Sequence, residues 1–189
     1  MKNTFIMLSV AMSCAFAGNA MALTKAEYNA HKDKISAEYK ASRDKCAALS
    51  ANAKDICVSE AKGAEKVAKA ELEAQYKPST KHSRDAAMAK ADAAYDTAKE
   101  KCDDLAGNAK DVCVKDAKAV HVKAKEEAKV VKASADGNMD KNDKVNDAKR
   151  DANAETREAN YKAAVERCDS LAGAAKDSCV NAAKAKYGM

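Results

Sequence analysis

The sequence predicts an all-α protein made of three tandem antiparallel helical hairpins, each closed by one disulfide, in an elongated arrangement. Three observations support this fold class. Alanine and lysine, which are strong helix formers, dominate the chain. The residues around the cysteines follow a heptad spacing. Two cysteines with ten residues between them also occur three times, at Cys46 and Cys57, Cys102 and Cys113, and Cys168 and Cys179.

The first 22 residues are typical of a secretory signal peptide. Lys2 is the only charged residue before Lys25, and an apolar run is followed by a small-residue cleavage site that ends at Ala22. A membrane span needs about 20 apolar residues, so we expect no transmembrane anchor after cleavage. The alternative is a lipid on Cys14, but the leucine usual three positions before such a cysteine is missing. We therefore predict a periplasmic or secreted protein.

The remaining chain has few large apolar side chains. It carries 5 leucines, 2 isoleucines and 11 valines, it has no tryptophan, and both phenylalanines lie in the first 22 residues. Such a composition cannot build a thick globular core. We therefore expect thin helical packing that needs stabilisation from something other than apolar burial.

Charged residues are numerous and mixed in sign along the chain. The sequence has 34 basic and 29 acidic side chains, for a net charge of +5. Interspersed charges of both signs are typical of solvated helix surfaces, whereas nucleic-acid or anionic-membrane binding would favour a basic patch. We expect no nucleic-acid partner.

Alignment of the three cysteine stretches indicates three diverged copies of one unit. In each copy a tyrosine, a small residue, a cysteine and a leucine lie at successive a and d heptad positions. The tyrosines are Tyr39, Tyr95 and Tyr161, and the leucines are Leu49, Leu105 and Leu171. The predicted segments are a signal peptide (1–22), hairpin 1 (23–77), hairpin 2 (78–135), and a linker with hairpin 3 (136–189). The predicted helices lie near 24–50, 53–76, 80–106, 109–133, 142–172 and 175–187.

Several residues indicate where helices begin and end. Thr24 and Glu27 have the spacing of a capping box, and Pro78 disfavours helix at the residue before it. In the middle of the second cysteine stretch, Gly107 suits a left-handed position that ends a helix. Asn108, with an aspartate three residues later, has the spacing that caps the next helix. The chain is therefore predicted to turn between the two cysteines of each pair.

This turn decides how the cysteines pair. In one continuous helix the two cysteines would lie about 16 Å apart, and only bonds between chains could form. A turn midway between them instead places both cysteines at the same height on facing arms. Six cysteines in an oxidising compartment then pair within each hairpin, and each disulfide contributes about 2 to 3 kcal/mol.

Two resemblances accompany these features. Cysteines that bridge paired helices resemble those of the coiled-coil-helix proteins of oxidising compartments, which use two pairs per hairpin at a nine-residue spacing. The secreted helices rich in Ala, Lys, Asp and Glu are similar in composition to the long periplasmic helical segment of the envelope protein TolA. TolA's membrane anchor and a recognisable C-terminal domain are absent from the sequence. The second resemblance implies a structural role in the cell envelope.

Motifs that would carry chemistry are few. The sequence lacks the common redox, zinc-protease, hydrolase and phosphate-loop patterns, and we predict no catalytic residue, cofactor or metal site. His31, His82 and His121 are interpreted as isolated residues on helix surfaces. The segment from Asp136 to Asp147 imitates a calcium loop, but a lysine replaces the central glycine, and a polar linker is the better interpretation.

We therefore expect a noncatalytic periplasmic protein with a structural or protein-interaction role in the cell envelope. The alternative is a periplasmic stress or chaperone-type binding protein whose charged helices hold unfolded clients. A third hypothesis is metal or anion sequestration. The sequence predicts neither the partner nor the oligomeric state.

Overall fold

The computed structural model describes residues 23–135 and 141–189, and these residues form six α-helices without a strand. The helices are α1 (Lys25–Cys46), α2 (Ala51–Tyr76), α3 (Thr80–Cys102), α4 (Gly107–Ala135), α5 (Lys141–Cys168) and α6 (Gly173–Tyr187). The predicted all-α class with helical hairpins is confirmed. The predicted signal peptide, with Cys14 and Ala22, lies outside the described residues, as does the start of the calcium-like segment.

The helices form a single antiparallel layer. Within the described ranges, each helix packs only against the helices that precede and follow it in the chain. Contacts of α1 with α2, α3 with α4 and α5 with α6 form the three predicted hairpins. Contacts of α2 with α3 and of α4 with α5 join one hairpin to the next. No described helix covers the layer, so both of its faces are open to solvent.

The first hairpin begins with the predicted capping box. The Thr24 hydroxyl accepts a hydrogen bond from the Glu27 amide at 3.2 Å, and the Glu27 carboxylate accepts from the Thr24 amide at 2.8 Å. One turn later, the Tyr28 hydroxyl donates to the Glu73 carboxylate at 2.9 Å, and this bond raises the pKa of Tyr28. The same ring packs on Tyr76 at 4.4 Å between centroids. The start of α1 is thereby tied to the end of α2.

Helix α2 ends just before the proline. Helix α2 ends at Tyr76, and Lys77, which precedes Pro78, adopts a nonhelical backbone. The Ser79 hydroxyl then accepts from the His82 amide at 3.1 Å and caps α3.

The turns that close the hairpins are wider than predicted. Each first arm ends at its cysteine, four residues before the predicted end, because the chain tightens there into a three-residue hydrogen-bonded turn. The amides of Leu49, Leu105 and Leu171 donate to the carbonyls of the preceding cysteines at 3.1, 3.0 and 2.9 Å. The predicted heptad position for these leucines is therefore wrong: the helix has already ended, and their side chains are 42 to 45 % exposed.

The interior of the layer consists of cysteines and alanines. In the described part of the chain the largest fully buried side chains are Cys46, Cys102 and Cys168, and the one buried leucine is Leu72. Small residues let neighbouring helices approach closely. A Cβ atom placed on Gly63 would lie 2.9 Å from the Cβ atom of Ala93, where α2 crosses α3.

The third hairpin is asymmetric, as expected, because α5 has 28 residues and α6 only 15. The first arm packs on α4 as well as on α6. Among the described helices, none has a stretch long and apolar enough to cross a membrane.

Candidate interaction surfaces

The six predicted cysteines meet in three disulfides, one at the base of each hairpin turn. The bonds join Cys46 to Cys57, Cys102 to Cys113 and Cys168 to Cys179, with Cα atoms 5.6, 5.6 and 5.7 Å apart. The first cysteine of each pair is fully buried between its arms. These cysteines therefore serve to hold the arms together and leave no thiol for redox or metal chemistry.

All three turns pass through a residue in the left-handed region. The angle φ is +47° at Ala51, +56° at Gly107 and +55° at Gly173. The left-handed conformation predicted for Gly107 is correct, but the residue begins α4 instead of ending α3. Left-handed backbone costs an L-residue about 1 to 2 kcal/mol, so Ala51 strains the first turn.

Two asparagines that follow these left-handed residues connect neighbouring hairpins. The Asn52 side-chain amide donates to the Glu100 carbonyl at 2.9 Å, and the Asn108 amide donates to the Glu166 carbonyl at 3.0 Å. We call these two contacts the asparagine bridges. Each one supplies a side-chain donor to a carbonyl in the last turn of a helix, where the carbonyls have no amide partner within the helix. The third hairpin has Ala174 at the corresponding position.

The predicted capping role of Asn108 is therefore wrong, because α4 begins at Gly107, one residue earlier. The same holds for Asn52. Helix α2 begins at Ala51, one residue before Asn52, so the asparagine already lies in the first helical turn. Ser50 stands at the cap position, and its side chain makes no capping bond. From the first turn, the Asn52 amide extends sideways to the adjacent hairpin.

An ion pair accompanies each asparagine bridge. Lys101 in α3 pairs with Glu60 in α2 at 3.1 Å, and Arg167 in α5 pairs with Asp116 in α4. The two pairs occupy corresponding positions, because each basic residue directly precedes the first cysteine of its hairpin. An amide and an acid on one helix thus contact a carbonyl and a base on the next, which fixes the register between hairpins.

The asparagine bridges place the three hairpin turns side by side at one end of the layer. Leu49, Leu105 and Leu171, which we call the leucine row, lie in these turns and are 44, 45 and 42 % exposed. Three of the five leucines after residue 22 are thus partly solvent-exposed. A second apolar feature lies on α4, where Val120 and Val131 are 69 and 67 % exposed. These two valines are 11 residues apart and therefore share one helix face.

A charged cluster lies where α3 meets α4. His121 Nε2 donates to Asp92 Oδ1 at 2.7 Å, and the imidazole ring stacks on Tyr95 at 4.6 Å between centroids. Lys66 and Lys125 approach the same carboxylate at 2.9 and 3.6 Å. Burial alone would raise the pKa of Asp92, but the bonds from His121 and Lys66 and the nearby Lys125 together lower it to about 2.

The sequence interpretation of His121 as an isolated surface residue is wrong. The residue is 9 % exposed, and its Nδ1 atom is buried without a hydrogen-bond partner among the described residues. Heptad spacing could have indicated its burial, but the contact with Asp92 joins different helices and has no sequence signal. His82 is half-buried, and its Nδ1 atom lies 3.0 Å from the Ser79 hydroxyl and 2.6 Å from the Lys77 carbonyl.

A shallow groove of about 340 Å³ follows the junction of α2 and α3. Its polar lining combines acidic and basic side chains with one hydroxyl group. The lining side chains include Asp55, Asp96, Glu100, Lys62, Lys66, Lys99 and Ser59. The groove brings three acidic and three basic side chains together, so it suits the mixed charges of a polypeptide better than an ion of one sign.

No histidine, cysteine or acidic side chains cluster as a metal site within residues 23–135 and 141–189. The chain matches no protein-family model, no curated protein and no solved structure.

Proposed function

We propose that this protein is a noncatalytic component of the bacterial cell envelope that binds other proteins through its exposed helix faces and hairpin turns. The observation that carries the proposal is the single layer, in which each described helix contacts only its chain neighbours. Such a layer offers much surface for its length, as in repeat proteins that present extended binding faces. The exposed leucine row and the two valines of α4 supply apolar contacts on that surface.

The disulfides support the proposed location of the protein in an oxidising compartment. Three disulfides that close hairpins are typical of proteins from oxidising compartments, because cytosolic thiols are kept reduced. Together with the secretory leader predicted from the sequence, they favour the periplasm or the cell exterior.

Site-specific photo-crosslinking in cells tests this function. A photoreactive amino acid replaces Leu105 in the leucine row or Val120 on α4, and matched variants carry it at Lys32 or at Asp143, which are exposed. An envelope partner gives a discrete product at one of the first two positions and none at the control positions. Equal crosslinking at all four positions, or none at any, contradicts the proposal.

The leucine row also favours the second candidate, a periplasmic chaperone-type binder. Exposed leucines at regular intervals suit apolar segments of unfolded proteins. A chaperone suppresses the aggregation of unrelated reduced proteins in vitro, and replacement of all three leucines by serine removes this activity. If suppression is absent and the crosslinks are also absent, neither function stands.

A further inference from the structure

The two junctions between hairpins follow one recognition pattern. On the donor side, α2 and α4 each carry an amide, a branched aliphatic residue, an acid and a small residue at intervals of four, four and three. These are Asn52, Ile56, Glu60 and Gly63 in α2, and Asn108, Val112, Asp116 and Ala119 in α4. The asparagine and the acid contact the next hairpin directly in both junctions.

The acceptor side is equally regular. Helix α3 presents the Glu100 carbonyl, the Lys101 ammonium and the small Ala93 to α2. Helix α5 presents the Glu166 carbonyl and the Arg167 guanidinium to α4. One docking geometry therefore occurs twice within this chain.

The outer face of α1 has the same acceptor groups, and no other described helix packs on it. The positions that correspond to Glu100, Lys101 and Ala93 are Asp44, Lys45 and Ala37, and all three are exposed. The Asp44 carbonyl accepts only the local bond from the Ala47 amide, as the Glu100 carbonyl also does from its own turn. Among the described residues no carboxylate pairs with Lys45, whereas both of its counterparts are paired.

We infer that the outer face of α1, defined by Ala37, Asp44 and Lys45, binds a helix of another protein that carries an asparagine and, eight residues later, an acid. The inference deepens the proposed function, on which it rests, by naming the chemistry of one partner. Charge complementarity selects the acid for Lys45, and the two internal junctions supply the geometry.

Two other occupants fit this face less well. Residues 1–22 contain no aspartate or glutamate, so they cannot pair with Lys45. A second copy of the chain could offer α6, whose outer face is exposed. Its corresponding residues are Ala174, Ser178, Ala182 and Ala185, which lack the amide, the branched aliphatic residue and the acid. An end helix that lacks these binding groups is typical of a cap that ends a row of repeats.

The test gives α6 the missing donor groups. The variant A174N/S178V/A182D of the full mature chain should associate head to tail through α1, and sedimentation velocity should show species that grow with concentration. The added substitution K45E should weaken this association about tenfold or more, since it turns attraction into repulsion. The control K25E, on the opposite side of α1, should leave the association unchanged. The charge-reversed combination of A174N/S178V/A182K with K45E should restore the association.

Because all the α6 positions are exposed, helicity and disulfide content report whether each variant folds. If A174N/S178V/A182D keeps the mass of the parent chain, or if K45E leaves its association intact, the inference is overturned. Self-association of the unchanged chain that K45E abolishes also overturns it, because the occupant would then be a second copy. None of these results depends on the cellular crosslinks, so failure here is distinguishable from failure of the proposed function.

Discussion

The Asn108 side-chain amide donates a 3.0 Å hydrogen bond to the Glu166 carbonyl, 58 residues away in the chain. Asn52 makes the same contact with Glu100 one hairpin earlier. These bonds align the ends of the hairpins and place their disulfides at the same end of the layer. The register of the whole assembly thus depends on a few polar contacts between thin helices.

The Asn108 bridge should be measurable as a stability change. We expect Asn108→Ala to lower the free energy of unfolding by about 1 kcal/mol, the usual net contribution of one hydrogen bond. Urea denaturation measures this, and Asn52→Ala should act alike. Asn181→Ala on the exposed face of α6 serves as the control. Alanine is the better helix former, so Asn181→Ala should not lower the free energy of unfolding. An equal loss at Asn181 would show that the loss at Asn108 does not come from the bridge.

Exchanges between alanine and glycine at the left-handed positions should change stability in opposite directions. Ala51→Gly should stabilise the protein by about 1 kcal/mol, because glycine relieves the positive φ. Gly107→Ala should destabilise it by a similar amount. No heavy atom lies within 4 Å of a Cβ placed on Gly107, so backbone strain alone accounts for the cost. Changes of the same sign in both variants would contradict this explanation.

A methyl group added where α2 crosses α3 should destabilise the protein. Gly63→Ala places a Cβ atom 2.9 Å from that of Ala93, and overpacking of this kind costs about 1 to 3 kcal/mol. The better helix propensity of alanine offsets about 1 kcal/mol of that cost. The exchange G63A/A93G keeps the composition and restores the space. Its free energy of unfolding should exceed that of Gly63→Ala; if it is lower still, the close approach is not the cause.

Protonation of Asp92 at low pH should weaken the charged cluster. The pKa of this carboxyl is about 2 in the folded protein, below its ordinary value of 3.8. A lowered carboxyl pKa stabilises the fold above the unfolded value, and this contribution, about 2 kcal/mol, is lost as the pH falls from about 4 to 2. Asp92→Asn should remove that part of the pH dependence, as measured by urea denaturation at several pH values.

Asp33→Asn, at an exposed position of α1, is the matched control for this experiment. It should keep the acid sensitivity of the parent chain. If Asp92→Asn and the parent lose stability equally between pH 4 and 2, Asp92 does not carry the effect.

The sequence predicts the hairpins well because their signals are local. The position of Gly107 midway between Cys102 and Cys113 indicates a turn, and Pro78 ends α2 where the predicted boundary lies. Helix ends near the turns are predicted less accurately. The heptad pattern continues through Leu105 although the helix ends at Cys102, since leucine spacing alone does not distinguish a helix from a tight turn.

Polar contacts between helices could not be predicted from the sequence. Asparagine is a favoured N-cap residue, so the sequence predicts a capping role for Asn108. Its side-chain amide instead bonds the Glu166 carbonyl, which only the neighbouring helix α5 brings close. His121 likewise looks solvated until α3 brings Asp92 and Tyr95 to it. In both cases the deciding partner is distant in the chain.

We infer that disulfides, and not a thick apolar core, hold this single layer together. Each disulfide contributes about 2 to 3 kcal/mol, so three approach the whole stability of a typical small domain. The direct measurement is thermal unfolding of residues 23–189, followed by circular dichroism with and without reductant. We expect a marked loss of helicity or melting temperature on reduction. Coincident unfolding curves for the oxidised and fully reduced protein would contradict it.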